Sequence, residues 1–412
     1  MCQAEGVLDD TTIGRLRDDL AAAEFTLDAV TTRLGPAGLA ALARNQTIAA
    51  VDALGRSDDP QATLIRLWVL GRAVSSADAR AALSTLPALE RAGLVRARPG
   101  GQLEATVELK PYGWGDATGW VCSDRTPMDG RVLPPRDDHV LGPSPASTTL
   151  AQLTVRRPVQ RALDLGTGSG VQSLHLADHA GQIVATDVNP RALALARITL
   201  GLSGAHADLR HGSLYEPVTD ESFDLIVTNP PYVMAPPKDS HLTYREGVFE
   251  SDGLMRAIVA GAPDHLRPGG LLHVVGNWAI TPGEPWPERL ASWIAPTGCD
   301  AIVCCRETLD VYEYIEIWLA DAGLTGQPEY SAAYRRWLDY FAAQGIVGVG
   351  MGWLSLRRAD RLEPEIRIED WPHGVVQPVG AAFGAFFDAV DTARADDSSL
   401  LASRLVVADD VV

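Results

Sequence analysis

Residues 161–170 read RALDLGTGSG, and this stretch decides the fold. Its first half is an apolar run of strand length, and its second half is a glycine-rich loop that leads into a helical pattern from Val171. Glycine lets the backbone turn sharply, and the free N–H groups at the start of the next helix face the space above the loop. A strand, a glycine loop and a helix in this order are typical of a doubly wound α/β sheet.

Apolar runs continue to alternate with helical patterns after this loop, which predicts a parallel sheet with helices on both faces. Amphipathic helices are expected at 310–322 and 331–343, and a strand-like piece and a helix are expected after residue 359. The sheet strands are predicted at residues 161–165, 183–187, 207–211, 223–228, 271–276, 301–305 and 347–356.

The part of the chain before the sheet has a different pattern. Residues 10–95 are mainly helical and lead into a strand, a Pro-Gly-Gly turn and a second strand at 103–109, which is the pattern of a winged helix. With this acidic chain, we favour dimerisation or substrate docking over DNA binding for such a module. The predicted domains are a mostly helical, winged-helix-like domain at 1–110, a linker with short strands at 111–145, a Rossmann-like sheet domain at 146–358 and a C-terminal extension at 359–412.

Composition and charge exclude several classes of function. The net charge of −18 disfavours binding to the phosphate backbone of nucleic acids. The five cysteines include no CxxC pair, so neither a disulfide framework nor a metal site is expected. No apolar run is long enough to span a bilayer and the N-terminus lacks a signal pattern, so we expect a cytoplasmic protein without membrane contact.

The predicted cofactor site begins at the glycine loop. Asp187 ends the second strand, 17 residues beyond Gly170, where a carboxylate accepts hydrogen bonds from ribose hydroxyls in nucleotide-binding folds. The dinucleotide pattern GxGxxG is not matched, because the third glycine comes one residue early. Asp164 lies just before the loop, where an acid suits an ammonium group better than a pyrophosphate. The pattern therefore favours a nucleoside that carries an amino acid over NAD.

A second motif follows the strand at 223–228. It reads Asn229-Pro230-Pro231-Tyr232 and places carbonyl acceptors and an aromatic face at the end of the sheet. The prolines lack N–H groups and have a fixed φ, so the carbonyl oxygens of Asn229 and Pro230 can point outward. Such a site suits a planar NH2 group, because it accepts both N–H bonds and stacks on the π-system. The alternative is a plain Pro-Pro turn that ends a strand.

Together, these motifs make residues 139–356 resemble the class I S-adenosylmethionine-dependent methyltransferases. Within that class the chain is similar to the branch with an Asn-Pro-Pro-Tyr motif, which includes the release-factor glutamine methyltransferases and the adenine-N6 DNA methyltransferases. It also looks like actinobacterial methyltransferases with extra terminal domains. The resemblance implies catalytic roles for Asn229, Pro230 and Tyr232, and S-adenosyl-L-methionine as the cofactor. It implies cofactor contacts for Asp164, Gly166, Thr167, Gly168, Gly170, Asp187, Val188, Gly212, Ser213 and Asn229.

The methyl acceptor is left open between several classes. We rank a protein glutamine first, a small-molecule amine, amide or guanidine second, a binding protein that only senses the cofactor third, and adenine in nucleic acid fourth. Residues 142–149 depart from the Arg-Pro-Glu-Thr-Glu-like segment of release-factor enzymes, which favours divergence from that substrate. Tyr244 and Arg245, in the loop after the motif, and Trp278, after the fifth strand, are predicted to line the acceptor pocket. Packing is the alternative explanation for Trp278, and a homodimer is an open prediction.

Overall fold

The computed structural model describes residues 8–131, 136–236 and 249–404. Its N-terminal part is mainly helical, and Asp9 caps the first helix by accepting a hydrogen bond from the Thr12 N–H at 2.7 Å. The helices of this part are α1 (Asp10–Ala22), α2 (Leu27–Leu42), α3 (Ile48–Leu54), α4 (Pro60–Leu64), which continues as a π-helical turn over Ile65–Val69, α5 (Ser76–Ala82) and α6 (Leu86–Arg91). Its strands are β1 (Val74–Ser75), β2 (Val95–Arg98), β3 (Gln102–Ala105), β4 (Val107–Trp114) and β5 (Ala117–Asp124).

Strands β1, β3 and β2 form a small antiparallel sheet beside these helices, with the turn at Gly100 and Gly101 between β2 and β3. The prediction of a single strand at 103–109 was wrong, because this stretch belongs to two strands, β3 and β4. Thr106 donates hydrogen bonds from its N–H to the Leu94 carbonyl and from its hydroxyl to the Gly93 carbonyl, so the chain leaves the ladder there. It continues as β4, which pairs with β5 in a long hairpin, so the boundary predicted at residue 110 falls inside a strand. The winged-helix assignment stays a prediction.

The central sheet has the order β13-β11-β12-β10-β9-β6-β7-β8. All neighbouring pairs are parallel except those that β12 makes with β10 and β11, which are antiparallel. Each of the seven predicted strands overlaps one of these, which confirms the doubly wound sheet. The strands are β6 (Val159–Leu165), β7 (Ala180–Asp187), β8 (Asp208–His211), β9 (Phe223–Thr228), β10 (Leu266–Ile280), β11 (Cys299–Asp310), β12 (Gly348–Arg358) and β13 (Ile366–Asp370).

Helices cover both faces of this sheet because its strands alternate apolar side chains between the two sides. In β9, Leu225 and Val227 pack with one core cluster, whereas Phe223 and Ile226 pack with another. The helices of this part are α7 (Pro145–Leu153), α8 (Val171–Leu176), α9 (Pro190–Ser203), α10 (Gly253–His265), α11 (Trp286–Ile294), α12 (Val311–Asp321), α13 (Tyr330–Gln344), α14 (Gly380–Ala393) and α15 (Asp397–Ala402).

The β4–β5 hairpin joins the N-terminal part to α9. The N–H of Cys122 donates to the Thr199 hydroxyl, and the N–H of Trp120 donates to the Ser203 hydroxyl, each at 3.0 Å. At the start of α9, the guanidinium of Arg191 pairs with the buried carboxylate of Asp124, with Nε 3.0 Å from Oδ2. Apolar residues of α9 also share the core of the N-terminal helices. The hairpin therefore contacts α9, a helix that packs on the central sheet, from its first turn to its last.

The C-terminal extension is held by charged side chains. Asp300 is fully buried and accepts a hydrogen bond from Arg357 at 2.7 Å, and Arg357 also pairs with Asp391 of α14 at 2.6 Å. The buried carboxylate is thus compensated by a guanidinium that reaches the last long helix. Across the described residues, helices stay too short or too polar to cross a lipid bilayer.

Candidate active site

The glycine loop lies between the end of β6 and the start of α8. Gly166, Gly168 and Gly170 have φ values of 77°, 55° and 85°, which side chains rarely adopt. The positions that a Cβ would occupy at Gly166 and Gly168 have no neighbour within 4 Å, so this part of the loop borders open space. At Gly170, by contrast, a Cβ would lie 3.3 Å from Ala196 of α9. The first two glycines leave room for a ligand, and the third allows helix packing.

Asp164 lies beneath this loop and is almost fully buried. Its Oδ2 accepts hydrogen bonds from the hydroxyls of Thr167 and Ser173, both at 2.7 Å. Burial raises the pKa of the Asp164 carboxyl to about 6, and the two hydroxyl groups oppose that rise. The Thr167 side chain is therefore engaged with Asp164, and Ser173 is a supporting residue that the sequence analysis missed.

Asp187 ends β7 on the other side of the loop. Its carboxylate accepts the N–H of Gly168 at 2.9 Å and the N–H of Asn189 at 2.8 Å. Burial raises the pKa of Asp187, and these two backbone hydrogen bonds oppose the rise. The adjacent Val188 side chain is 52% exposed, which gives an apolar surface next to the acid. The pair can hold the two ends of a nucleoside, the hydroxyl groups at the carboxylate and the base at the valine.

Gly212 and Ser213 follow β8, which pairs with β7, so they lie beside Asp187. The N–H of Gly212 donates to the Asp187 carbonyl at 3.1 Å, and a Cβ at Gly212 would lie 2.5 Å from the ring of Pro217. The His211 ring contacts the Val188 carbonyl at 3.0 Å. Gly212 and Ser213 thus lie at the same end of the sheet as the glycine loop, Asp187 and Val188, which are also predicted to hold the cofactor.

Asn229 follows β9, the strand next to β6, so it lies at the same end of the sheet as the glycine loop. Thr228 pairs with Leu165, and the Thr228 hydroxyl donates to the Leu165 carbonyl at 2.7 Å, so Asn229 follows directly beside the start of the glycine loop. The Asn229 Oδ1 atom is buried and has no hydrogen-bond partner in the described part of the chain. An unpaired buried acceptor is uncommon, because it loses its hydrogen bonds to water. Its position indicates a site for an incoming donor.

Tyr232 is half-buried beside a second aromatic side chain. Its ring lies edge-on to Trp318, with 6.4 Å between the ring centroids. Burial raises the pKa of Tyr232, so its hydroxyl stays protonated at neutral pH and does not act as a base. A small cavity adjoins this ring, and it is lined by Pro231, Tyr232, Val233, Phe249, Ser251, Asp252, Leu254 and Met255.

Asp252 is a wall residue of this cavity that sequence reasoning gave no role. It is buried, accepts the N–H of Ala279 at 2.9 Å and pairs with Arg289 of α11 at 2.9 Å. These bonds join the start of α10 to the end of β10 and to α11. Neither partner is near Asp252 in sequence, so spacing alone gives no sign of this role.

The structure places Trp278 in the core. β10 extends to Ile280 and not to 276 as predicted, so Trp278 belongs to a strand interior and its side chain is fully buried. Its ring stacks on Trp286 of α11, with 5.5 Å between centroids. Packing therefore accounts for this residue, which was the alternative weighed in the sequence. Tyr244 and Arg245 lie outside the described residues.

The strand order and the open glycine loop at the end of β6 are the fold of the class I S-adenosylmethionine-dependent methyltransferases. The family "Methyltransferase small domain" matches residues 144–284, and "Domain of unknown function (DUF7059)" matches residues 22–106. The release factor glutamine methyltransferase of Cereibacter sphaeroides is 31% identical over 239 residues, which cover 52% of this chain and 83% of the relative. The chain therefore belongs to the same methyltransferase family as this relative.

Other relatives match shorter regions. The release factor glutamine methyltransferase of Xylella fastidiosa is 42% identical over 132 residues, covering 29% of this chain and 47% of the relative. The ribosomal protein uL3 glutamine methyltransferase of Bradyrhizobium diazoefficiens is 35% identical over 190 residues, covering 40% and 58%. The chain therefore spans about half the length of these two relatives. Among solved structures, the T. thermophilus 16S rRNA N2 G1207 methyltransferase aligns at 21% identity and a TM-score of 0.31, covering 54% of this chain and 58% of that one.

Proposed function

We propose that this chain transfers a methyl group from S-adenosylmethionine to the side-chain amide nitrogen of a glutamine in a protein. The observation that carries the proposal is the buried Oδ1 of Asn229, which lacks a hydrogen-bond partner in the described residues. Leaving such an acceptor unpaired costs about 1–3 kcal/mol, and a donor that arrives with the substrate would remove that penalty. A primary amide brings two N–H donors on one planar nitrogen.

The predicted site has two parts, here called the cofactor half (the glycine loop, Asp164 and Asp187) and the acceptor half (Asn229 to Tyr232). The chemistry of the cofactor half fits S-adenosylmethionine. Asp164 supplies a buried carboxylate for an ammonium group, and Asp187 supplies carboxylate lone pairs for ribose hydroxyls beyond those used by Gly168 and Asn189. The open space at the glycine loop can admit the ligand. When bound, S-adenosylmethionine supplies an electrophilic methyl group on a sulfonium sulfur.

The acceptor half would orient the nitrogen. An amide lone pair is delocalised, so hydrogen bonds from its N–H groups to the Asn229 Oδ1 and the Pro230 carbonyl would increase the electron density on nitrogen and aim the lone pair at the methyl carbon. A nitrogen–carbon bond forms as the carbon–sulfur bond breaks, and the nitrogen then loses a proton to solvent. Tyr232, which stays neutral, would offer its ring to the amide plane.

A protein glutamine is favoured over other acceptors by the family. Relatives in three species carry the names of glutamine methyltransferases that act on release factors or on ribosomal protein uL3. A small-molecule amine or amide is the second candidate, and the segment at 142–149 favours it. There, Ser144 and Ser147 cap each other at the start of α7, in place of the Arg-Pro-Glu-Thr-Glu-like segment.

The deciding experiment compares two pools of acceptor. The full chain is incubated with methyl-labelled S-adenosylmethionine and either unmethylated release factors with ribosomal protein uL3, or a small-metabolite extract. Label on a glutamine of a protein substrate, identified by mass spectrometry and absent with Asn229→Ala, would support the proposal. Label confined to the metabolite pool would overturn the glutamine assignment in favour of the second candidate.

A further inference from the structure

Helices α12 and α13 connect β11 to β12 in the chain and pack against each other. They also pack on Val233 and Met234, here called the acceptor segment, which follow the Asn-Pro-Pro-Tyr motif. Val233 and Met234 of that segment are buried in one apolar cluster with Tyr314 of α12 and with Trp337 and Phe341 of α13. The Tyr314 ring lies 5.8 Å from the ring of Phe341 and 6.4 Å from that of Trp337, centroid to centroid. The helix pair thus supports the acceptor side of the site from behind.

Tyr314 contacts the acceptor segment by a hydrogen bond as well as by packing. Its hydroxyl oxygen accepts the backbone N–H of Met234 at 3.0 Å, two residues beyond Tyr232. The same oxygen accepts a hydrogen bond from the side-chain amide of Asn277 in β10 at 2.8 Å. The phenol therefore joins the acceptor segment to the strand that lies next to β9 in the sheet.

Tyr340 of α13 makes an equivalent contact to a second segment, which lines the cavity beside Tyr232. Its hydroxyl accepts the backbone N–H of Ser251 at 2.8 Å. Ser251 precedes Asp252, and the Ser251 hydroxyl lies 3.8 Å from the Met234 sulfur. Two phenol groups from one helix pair thus hold two backbone positions that meet beside Tyr232.

We propose that Tyr314 and Tyr340 are positioning residues: they hold Met234, which follows the Asn-Pro-Pro-Tyr motif, and Ser251, which lines the adjoining cavity, in the geometry that methyl transfer requires. The inference rests on the proposed function, because it concerns the same acceptor site. Neither Met234 nor Ser251 lies in a helix or a strand, so these side-chain oxygens supply a hydrogen bond that regular structure does not. In-line transfer is sensitive to displacements of about 1 Å, for which losses near 10²-fold are typical.

The test uses Tyr314→Phe, Tyr340→Phe and the double variant of the full chain, because phenylalanine keeps the ring packing and removes only the hydroxyl. Tyr334→Phe is the matched control, since its hydroxyl also lies in the helix pair but donates to Glu316 at 3.1 Å and to the Tyr312 carbonyl at 3.5 Å, and among the described residues it makes no hydrogen bond to Val233 or Met234. We expect backbone amide exchange at Met234 and Ser251 to accelerate about three- to tenfold in the variants, as the loss of one hydrogen bond predicts. We also expect kcat for the protein acceptor to fall about 10- to 100-fold while the Kd for S-adenosylmethionine stays within twofold.

Hydrogen exchange needs no acceptor, which separates this inference from the proposed function. Unchanged exchange at both amides would overturn the tethering, and faster exchange with unchanged kcat would overturn the positioning role. A wild-type chain that methylates no protein would refute the proposed function, and exchange would then decide the tethering alone. A fall in kcat in Tyr334→Phe as large as in Tyr314→Phe would also overturn the inference, because it would mark a general effect of the helix pair.

Discussion

Replacing Asn229 with alanine separates the catalytic role of its side chain from its role in the fold. The Oδ1 atom makes no hydrogen bond with the described residues, so Asn229→Ala removes a buried acceptor that has no partner among them. We therefore expect the free energy of unfolding to stay within about 1 kcal/mol of wild type. In the transition state, however, the amide would lose one preorganised partner. Comparable losses at charge-developing sites lower kcat about 10²–10³-fold, or about 2.7–4 kcal/mol in activation free energy.

The assay measures label transfer from S-adenosylmethionine to a purified unmethylated release factor under single-turnover conditions. Titration calorimetry gives the Kd for the cofactor, and thermal denaturation gives the stability of the same preparations. We expect the Kd to stay within about threefold, because Asn229 would contact the acceptor more than the cofactor. A single-turnover rate within tenfold of wild type would refute the reasoning. So would loss of cofactor affinity equal to the loss of rate, because that would place Asn229 in the cofactor half of the site.

Three further predictions concern the cofactor half. Asp187→Ala should weaken S-adenosylmethionine binding about 10- to 100-fold in calorimetry, because it removes the ribose acceptor and frees the Gly168 N–H; unchanged affinity would contradict the assignment. With the pKa of Asp164 raised from 3.8 to about 6, cofactor affinity should fall about tenfold per unit as pH drops below 6, and Asp164→Asn should remove that dependence. Since the folded pKa exceeds the unfolded one, the contribution of Asp164 to the stability of the ligand-free protein should fall by about 2 kcal/mol as pH rises from 4 to 6, measurable by urea denaturation as the change in the difference between wild type and Asp164→Asn. Gly170→Ala should lower stability by about 1–2 kcal/mol, because it needs a φ of 85° and brings a Cβ to 3.3 Å from Ala196; an unchanged melting temperature would refute this.

The central sheet could be predicted from sequence because its strands are buried on both faces. Such strands read as short apolar runs, as Phe223–Thr228 does, and the glycine loop marks their first crossover. The N-terminal helices were harder to predict. Residues 10–95 were predicted as mainly helical without the bounds of α2, because Gly35, with a φ of 62°, and Pro36 interrupt its helical pattern. Residues 111–145 were predicted as a linker with short strands because of their glycines, prolines and aspartates, but Gly119 is needed in β5 because a Cβ there would lie 2.4 Å from the Ser203 hydroxyl oxygen.

In the candidate site, too, local motifs could be predicted from the sequence and long-range contacts could not. The residues of the glycine loop, the strand-end acid and the Asn-Pro-Pro-Tyr motif are local patterns at strand ends, so the sequence predicts their position at the same end of the sheet. Their supports are distant in the chain. Tyr314 is 80 residues from Met234, and Arg289 is 37 residues from Asp252. Such pairs depend on the packed fold and leave no pattern of spacing in one sequence.

The hairpin that lies along α9 has a consequence for how such a chain arises in evolution. α9 begins at Pro190, shortly after Asp187 and Val188, so the N-terminal part holds the helix that follows the acid predicted to contact the ribose. A shuffled gene that began near residue 144 would lack Asp124, and Arg191 would lose its buried counter-ion. The Thr199 and Ser203 hydroxyls would lose their backbone partners as well. An exchange of the N-terminal part would therefore have to preserve these partners of α9 or replace Arg191 as well.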